Sequence, residues 1–200
     1  MTELKIHHVF STPVIQFKFD KHSKYNFPNI PKSTNKPNEW VNDLYTTFPN
    51  ILDDDKYINA RTRDDLKKDL QDCINKQFDE LKIPHFSNFI EFWYNVYYEN
   101  QGQELHSHFG SCGRNNPYWS GIYYYRTTSS TVFVRDSHLW RTQLFPNQQE
   151  SNLKEFYYQE WYPFVDSGDI VLFPPHLMHY VPESDSTNQM RMTFSFNLDI

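Results

Sequence analysis

The chain has 200 residues, 38% hydrophobic and 18% aromatic, with a formal net charge of −6. That length allows one ordinary domain with a real core, and 14 Tyr and 17 Phe supply the burial that Leu and Val supply elsewhere. A pI near 5.8 without a basic stripe argues against a dominant nucleic-acid-binding role, and no run approaches the roughly 18 apolar residues of a membrane span.

The opening MTELKIHHVF has no apolar signal-peptide core, and Cys73 and Cys112 form neither a CxxC motif nor an even framework. Both features point to a reducing, cytoplasmic location. Residues 4–19 read as one or two short strands broken at Ser11-Thr12-Pro13. Residues 20–37, rich in Lys, Asn, Ser and Pro, read as a surface connection. Trp40, Val41, Leu44, Tyr45 and Phe48 follow a helical period behind a possible Asn38 cap. A clearer helix is predicted over 63–81, with Thr62 and Asp65 as a capping box and Pro84 beyond its end. Its stripe of Leu66, Leu70, Cys73, Ile74, Phe78 and Leu81 is a face for packing on a sheet.

From Phe86 the period changes from 3.6 to 2. Strands are predicted over 89–99, 119–126, 131–135, 156–163, 169–173, 179–181 and 190–199. Strands that follow one another without helices imply an antiparallel sandwich or barrel. The expected architecture is a single domain over 1–200, mainly β (α+β), with helical support over about 38–82 and a β core over about 86–200.

This β half carries the chemistry. In His106-Ser107-His108 the two imidazoles project to one face of an extended segment, where they can chelate one ion. His179 can join them from a distant strand, with His176 as its rival. The turn Gly168-Asp169 sets the register of the strand leading there. Arg191, Thr193 and Ser195 share a face of the last strand, and a guanidinium beside a hydroxyl is a receptor for a carboxylate. Cys112, in a Gly-rich turn, is a further metal-proximal candidate. His7, His8, His22, His85 and His138 have no partner pattern.

The order His-x-His, distal His, Arg-x-Thr resembles the 2-oxoglutarate/Fe(II)-dependent oxygenase superfamily, most closely its small prolyl-hydroxylase-like members of bacteria and phages. Tyr-x-x-x-x-Gly-Gln before His106, Ser-Gly-Ile-Tyr-Tyr-Tyr at 120–125 and Gly-Asp-Ile-Val-Leu-Phe-Pro at 168–174 carry the likeness. The resemblance implies a double-stranded β-helix (jelly roll) with iron on His106, His108 and His179 and 2-oxoglutarate on Arg191 and Thr193. Tyr124 and Asn95 would reach that co-substrate, with O₂ in the remaining position and Trp93, Trp119, Tyr123 and Tyr125 as an aromatic shield. It further implies hydroxylation of a C–H bond, on a prolyl or other amino-acid side chain of a peptide, or on a small molecule.

One departure matters: superfamily members usually place Asp or Glu where this chain has His108. His108 is then a third imidazole ligand or lies behind the ligands. In another frame it is the first ligand, with Gly110 in the acid's place, as in halogenating relatives. A cupin-like Zn- or Ni-binding jelly roll without oxygenase activity is the alternative, and a catalytically silent binding protein a third.

Overall fold

The computed structural model describes residues 5–9 (backbone only), 12–49, 57–109, 117–127, 129–134, 160–183 and 190–199. Two antiparallel sheets dominate. The larger contains β1 (Lys5–Val9), β2 (Thr12–Lys18), β3 (Tyr45–Thr46), β4 (Asn88–Tyr97), β6 (Trp119–Arg126), β9 (Asp169–Phe173) and β11 (Arg191–Asp199), in the order β1-β2-β9-β6-β11-β4-β3. The smaller contains β5 (Gln103–His106), β7 (Val132–Val134), β8 (Glu160–Trp161) and β10 (His179–Val181), in the order β5-β10-β7-β8. This arrangement is consistent with a jelly roll.

Both faces of the larger sheet are buried, and they differ in chemistry. Along β11, Met192, Phe194, Phe196 and Leu198 enter the main apolar core, while Arg191, Thr193, Ser195 and Asn197 face the other way and are also buried. Strand alternation makes this division. The apolar face packs on α1 (Ala60–Leu81), which contributes Leu66, Leu70, Cys73, Ile74 and Phe78. On the opposite face, Val14, Ile122, Tyr124, Val171 and Phe173 pack against Phe133 of the smaller sheet. Gly121 is small because the ring of Phe196, its partner on β11, lies where a Cβ would go, with Leu172 Cδ2 only 2.8 Å from that point.

Three expectations need correction. The predicted helix beginning at Asn38 is absent, and α1 is the single α-helix among the described residues. Its place is taken by turns and by β3, which pairs with Asn95 and Val96 at the open edge of β4. Tyr45-Thr46-Thr47 is an aromatic and β-branched run, and an edge offering backbone partners outweighs a weak helical period. Second, α1 is capped by Asn59, whose side chain accepts from Thr62 N at 2.9 Å, not by Thr62. Asparagine in extended backbone is a strong N-cap, and Thr62 falls inside the first turn. The helix ends as Lys82 turns left-handed (φ 57°) and Ile83 N donates to Phe78 O, a Schellman-type closure that precedes Pro84.

Third, the connection over 20–37 is not merely surface. Tyr25 and Phe27 are buried in the main core, and Asp69 of α1 accepts hydrogen bonds from Lys21, Lys24 and Tyr25. Burial by itself would raise the Asp69 carboxyl; those three hydrogen bonds and the Lys21 charge outweigh it and hold the group well below the usual carboxylate range. A depressed pKa contributes stability that is present above the unfolded value and is lost as pH falls. Urea midpoints should therefore show Asp69→Asn less stable than the parent at pH 7. The difference should narrow as pH drops below about 4, the ordinary Asp value.

Candidate metal centre

The β5–β10 ladder sets His106 directly opposite His179, although the two lie 73 residues apart (179 − 106). The chain leaving β5 carries His108 to the same point, where His108 N donates to Pro175 O at 2.8 Å. One nitrogen from each ring lies within 4.8 Å of the others. A metal ion can be held at that spacing.

The ring tautomers follow from the hydrogen bonds. His106 Nδ1 is 2.7 Å from Glu104 O, and His179 Nδ1 is 2.9 Å from Leu177 O. A carbonyl can only accept, so each Nδ1 carries the proton and each Nε2 keeps a lone pair. His108 Nδ1 lies 2.8 Å from Asn197 Oδ1, which also accepts from Ser120 Oγ at 2.7 Å. Asn197 Nδ2 in turn donates to the Glu91 carboxylate, which fixes the amide orientation. The sheet register builds this row, because Asn197 pairs with Glu91 on one side and Ser120 on the other.

Burial lowers the pKa of all three imidazoles. It brings His108 down to about 3, with repulsion from His106 adding to it, and puts His179 well below the usual value. All three are thus neutral donors at physiological pH, the state a metal ligand requires.

A small cavity runs from these rings to Arg191, past Trp93, Tyr97, Gln103, Thr131, Thr193 and Ser195. Arg191 is 2% exposed. Its Nη2 donates to Thr131 Oγ1 at 2.9 Å, and its carbon lies 4.8 Å from the Tyr97 ring centroid and 5.5 Å from that of Tyr124. Its Nε and Nη1 have no hydrogen-bond partner among the described residues. A guanidinium so buried, lining a cavity and with two nitrogens unpartnered, has the chemistry to receive an anion.

The sequence-predicted residues divide accordingly. His106, His108, His179, Arg191 and Thr193 line one cavity. Tyr124 and Asn95 are buried just behind it: Tyr124 donates to Thr131 Oγ1 at 3.0 Å, and Asn95 Nδ2 donates to Ser195 Oγ at 3.3 Å. His176 is exposed. Of the four expected shield residues only Trp93 lines the cavity; Trp119, Tyr123 and Tyr125 pack on the helix side. On β6 they occupy the odd positions, and Ser120, Ile122 and Tyr124 take the site face. His22 hydrogen-bonds Tyr123, and His85 pairs with Asp79. Cys112, Gly110 and His138 lie outside the described residues.

Thr131, Tyr97, Gln103 and the Glu91–Asn197–Ser120 row went unread in the sequence. Alternation on β11 could have found Asn197, which continues the polar face of Arg191, Thr193 and Ser195.

Fold and site together describe a β-sandwich with three histidines spaced to hold a metal ion and a buried arginine on the same cavity. The family model described as "Putative 2OG-Fe(II) oxygenase" matches residues 91–197, and the chain belongs to that family. No curated protein matches the sequence. Among solved structures, a prolyl-4-hydroxylase from Pseudomonas putida is similar at TM-score 0.51 and 11% identity, over 84% of this chain and 77% of that one. HygX from Streptomyces hygroscopicus, with nickel and 2-oxoglutarate bound, gives TM-score 0.47 and 16% identity over 82% and 73%. A 2OG-Fe(II) oxygenase family oxidoreductase from Burkholderia pseudomallei gives 0.47 and 7% over 98% and 73%. At these identities the likeness is one of fold.

The hydrogen-bonded row behind His108 has a measurable consequence. Asn197→Ala should weaken binding of a divalent metal by about 10- to 100-fold, the usual effect of removing such a support. Equilibrium dialysis with Co(II) checks this, with circular dichroism to confirm that the variant is folded.

Proposed function

We propose that this chain, taken over 1–200 as one domain, is an Fe(II)- and 2-oxoglutarate-dependent dioxygenase that hydroxylates a C–H bond, on a prolyl or other amino-acid side chain. The observation that carries this reading is Arg191, a buried cation with unused donors, placed across a cavity from three neutral, oriented imidazoles.

In this reading His106, His108 and His179 hold the iron through Nε2, and their Nδ1 hydrogen bonds keep the lone pairs in place. Bound iron with the keto acid would supply O₂ activation coupled to oxidative decarboxylation. Arg191 receives the distal carboxylate of the keto acid, with Thr131 and Thr193 as hydroxyl neighbours. Tyr97 and Tyr124 present ring faces to the guanidinium, and Tyr124 orients Thr131. The space beside Arg191 amounts to about 10 Å³, room for one water. A dicarboxylate is therefore accepted with a shift of the lining side chains. Trp93 and Ile122 keep bulk water away from the reacting centre.

Three imidazoles without a carboxylate also suit a cupin-like Zn or Ni protein, so the test must separate the two. Fe(II) and 2-oxoglutarate, added together anaerobically to metal-free protein, should give a weak visible charge-transfer band that neither gives alone. Arg191→Ala should weaken the keto acid's affinity by at least tenfold, about 1.4 kcal/mol or more, and His179→Ala should abolish the band. No band, together with tight retention of Zn(II) or Ni(II), would overturn the oxygenase reading.

A further inference from the structure

A second chamber lies on the outer side of the histidines, about 240 Å³ in volume, and shares Trp93, Gln103, His106 and His108 with the inner one. Its other walls are Trp40, Phe48, Glu104, Ser107 and Asn197. Arg191 is absent from this lining, so the metal position separates a cationic inner chamber from an outer chamber of different character.

Three rings form one continuous wall. Trp40 and Phe48 are 5.5 Å apart between centroids, Phe48 and Trp93 are 5.1 Å apart, and Trp93 is 5.5 Å from His108. Glu104 is the single formally charged side chain in the lining. Each of its oxygens accepts one long hydrogen bond from the loop bearing Trp40, from Val41 N at 3.2 Å and Asn42 N at 3.4 Å. Each oxygen thus retains acceptor capacity. The nearby ammonium of Lys36 is already engaged by Trp40 O, Val41 O and Asp43.

We infer that the outer chamber receives a basic side chain, lysine or arginine, of a polypeptide substrate. This rests on the oxygenase reading above and names its substrate class. Aromatic faces attract a cation and also pack against its methylene stem, and the carboxylate pairs with the charged end. Among the lining side chains an anionic group would meet Glu104 and no compensating cation. A prolyl ring would use the aromatic wall but leave the carboxylate without a partner, and this distinguishes the two amino-acid classes. Val41, Leu105 and Phe109 flank lining residues in the chain and are 79%, 50% and 61% exposed. Exposed apolar residues next in the chain to the lining suit the flanking residues of a peptide rather than a free amino acid.

The balanced reaction is R–H + O₂ + 2-oxoglutarate → R–OH + succinate + CO₂. One oxygen atom enters the C–H bond and the other enters succinate. The keto acid and the C–H bond each lose two electrons, and O₂ gains four.

The test uses the metal-free 200-residue chain and five-residue peptides that differ only at the centre: lysine, arginine, norleucine or proline. Quenching of tryptophan fluorescence reports binding. Lysine and arginine peptides should bind at least about tenfold more tightly than the norleucine and proline ones. That preference should disappear in Glu104→Gln, as expected for loss of a hydrogen bond to a charged group. Equal binding of all four peptides by the parent protein, a preference for proline, no quenching by basic peptides, or an unchanged preference in the variant would each overturn the inference. Because no iron is present, a failure here is separate from a failure of the iron and 2-oxoglutarate band.

Discussion

Taking a guanidinium out of water costs several kcal/mol unless its donors are satisfied, and Arg191 is given one hydroxyl acceptor and two aromatic faces. Much of the surrounding polar structure follows from keeping that cation in place. Thr131 is held by the Tyr124 hydroxyl, and Tyr97, packed against the guanidinium, donates to Gln103 at 2.9 Å. The interior of the sandwich is therefore polar along one row of β11. A core built only for stability would place apolar residues there. The unpartnered donors are a cost the fold accepts, and the proposed function gives that cost a purpose.

The same strand solves the opposite problem on its other face. Met192, Phe194, Phe196 and Leu198 pack with α1 and with an aromatic network that includes Phe92, Phe89 and Phe27. That slab is the rigid support on which the site is mounted. Rigid mounting matters because the three imidazoles come from the smaller sheet and its margin, and only cross-sheet contacts such as His108 to Asn197 tie them to β11. The charge of the site is arranged in the same layered way. The imidazoles are neutral and the nearest carboxylate on the His108 row, Glu91, is reached through Asn197. A second negative group, Glu104, stands on the outer side. Neither carboxylate joins the histidine cluster: Glu91 bonds Asn197, and Glu104 bonds the backbone of Val41 and Asn42.

Much of this was legible in the chain. Strict alternation from residue 190 onward made the polar and apolar faces of β11 readable, and the spacing of His106 and His108 placed both on one side. Segments whose partners are local in sequence, such as α1 and the Gly168 turn (φ 94°), were read nearly as they stand. What failed was context. Residues 38–48 have a helical period, yet an unpaired edge of β4 claimed Tyr45 and Thr46 as a strand. Tyr123 and Tyr125 share the composition of a cavity wall, yet their parity on β6 turned them to the helix side.

The sequence by itself determined which residues are chemically able to act: imidazoles in pairs, an arginine on an alternating strand, and aromatic mass enough for a core. Periodicity and residue type carry that information because they are local. Tertiary structure alone decided which of them meet. The register of β5 on β10 made His106 and His179 neighbours, the order of the larger sheet set Glu91, Asn197 and Ser120 in a row, and the segments on either side of β3 brought Trp40 and Phe48 into one chamber with His106 and His108. Each of these depends on long-range strand pairing, whose register is fixed by burial of whole faces and not by any short stretch of the chain.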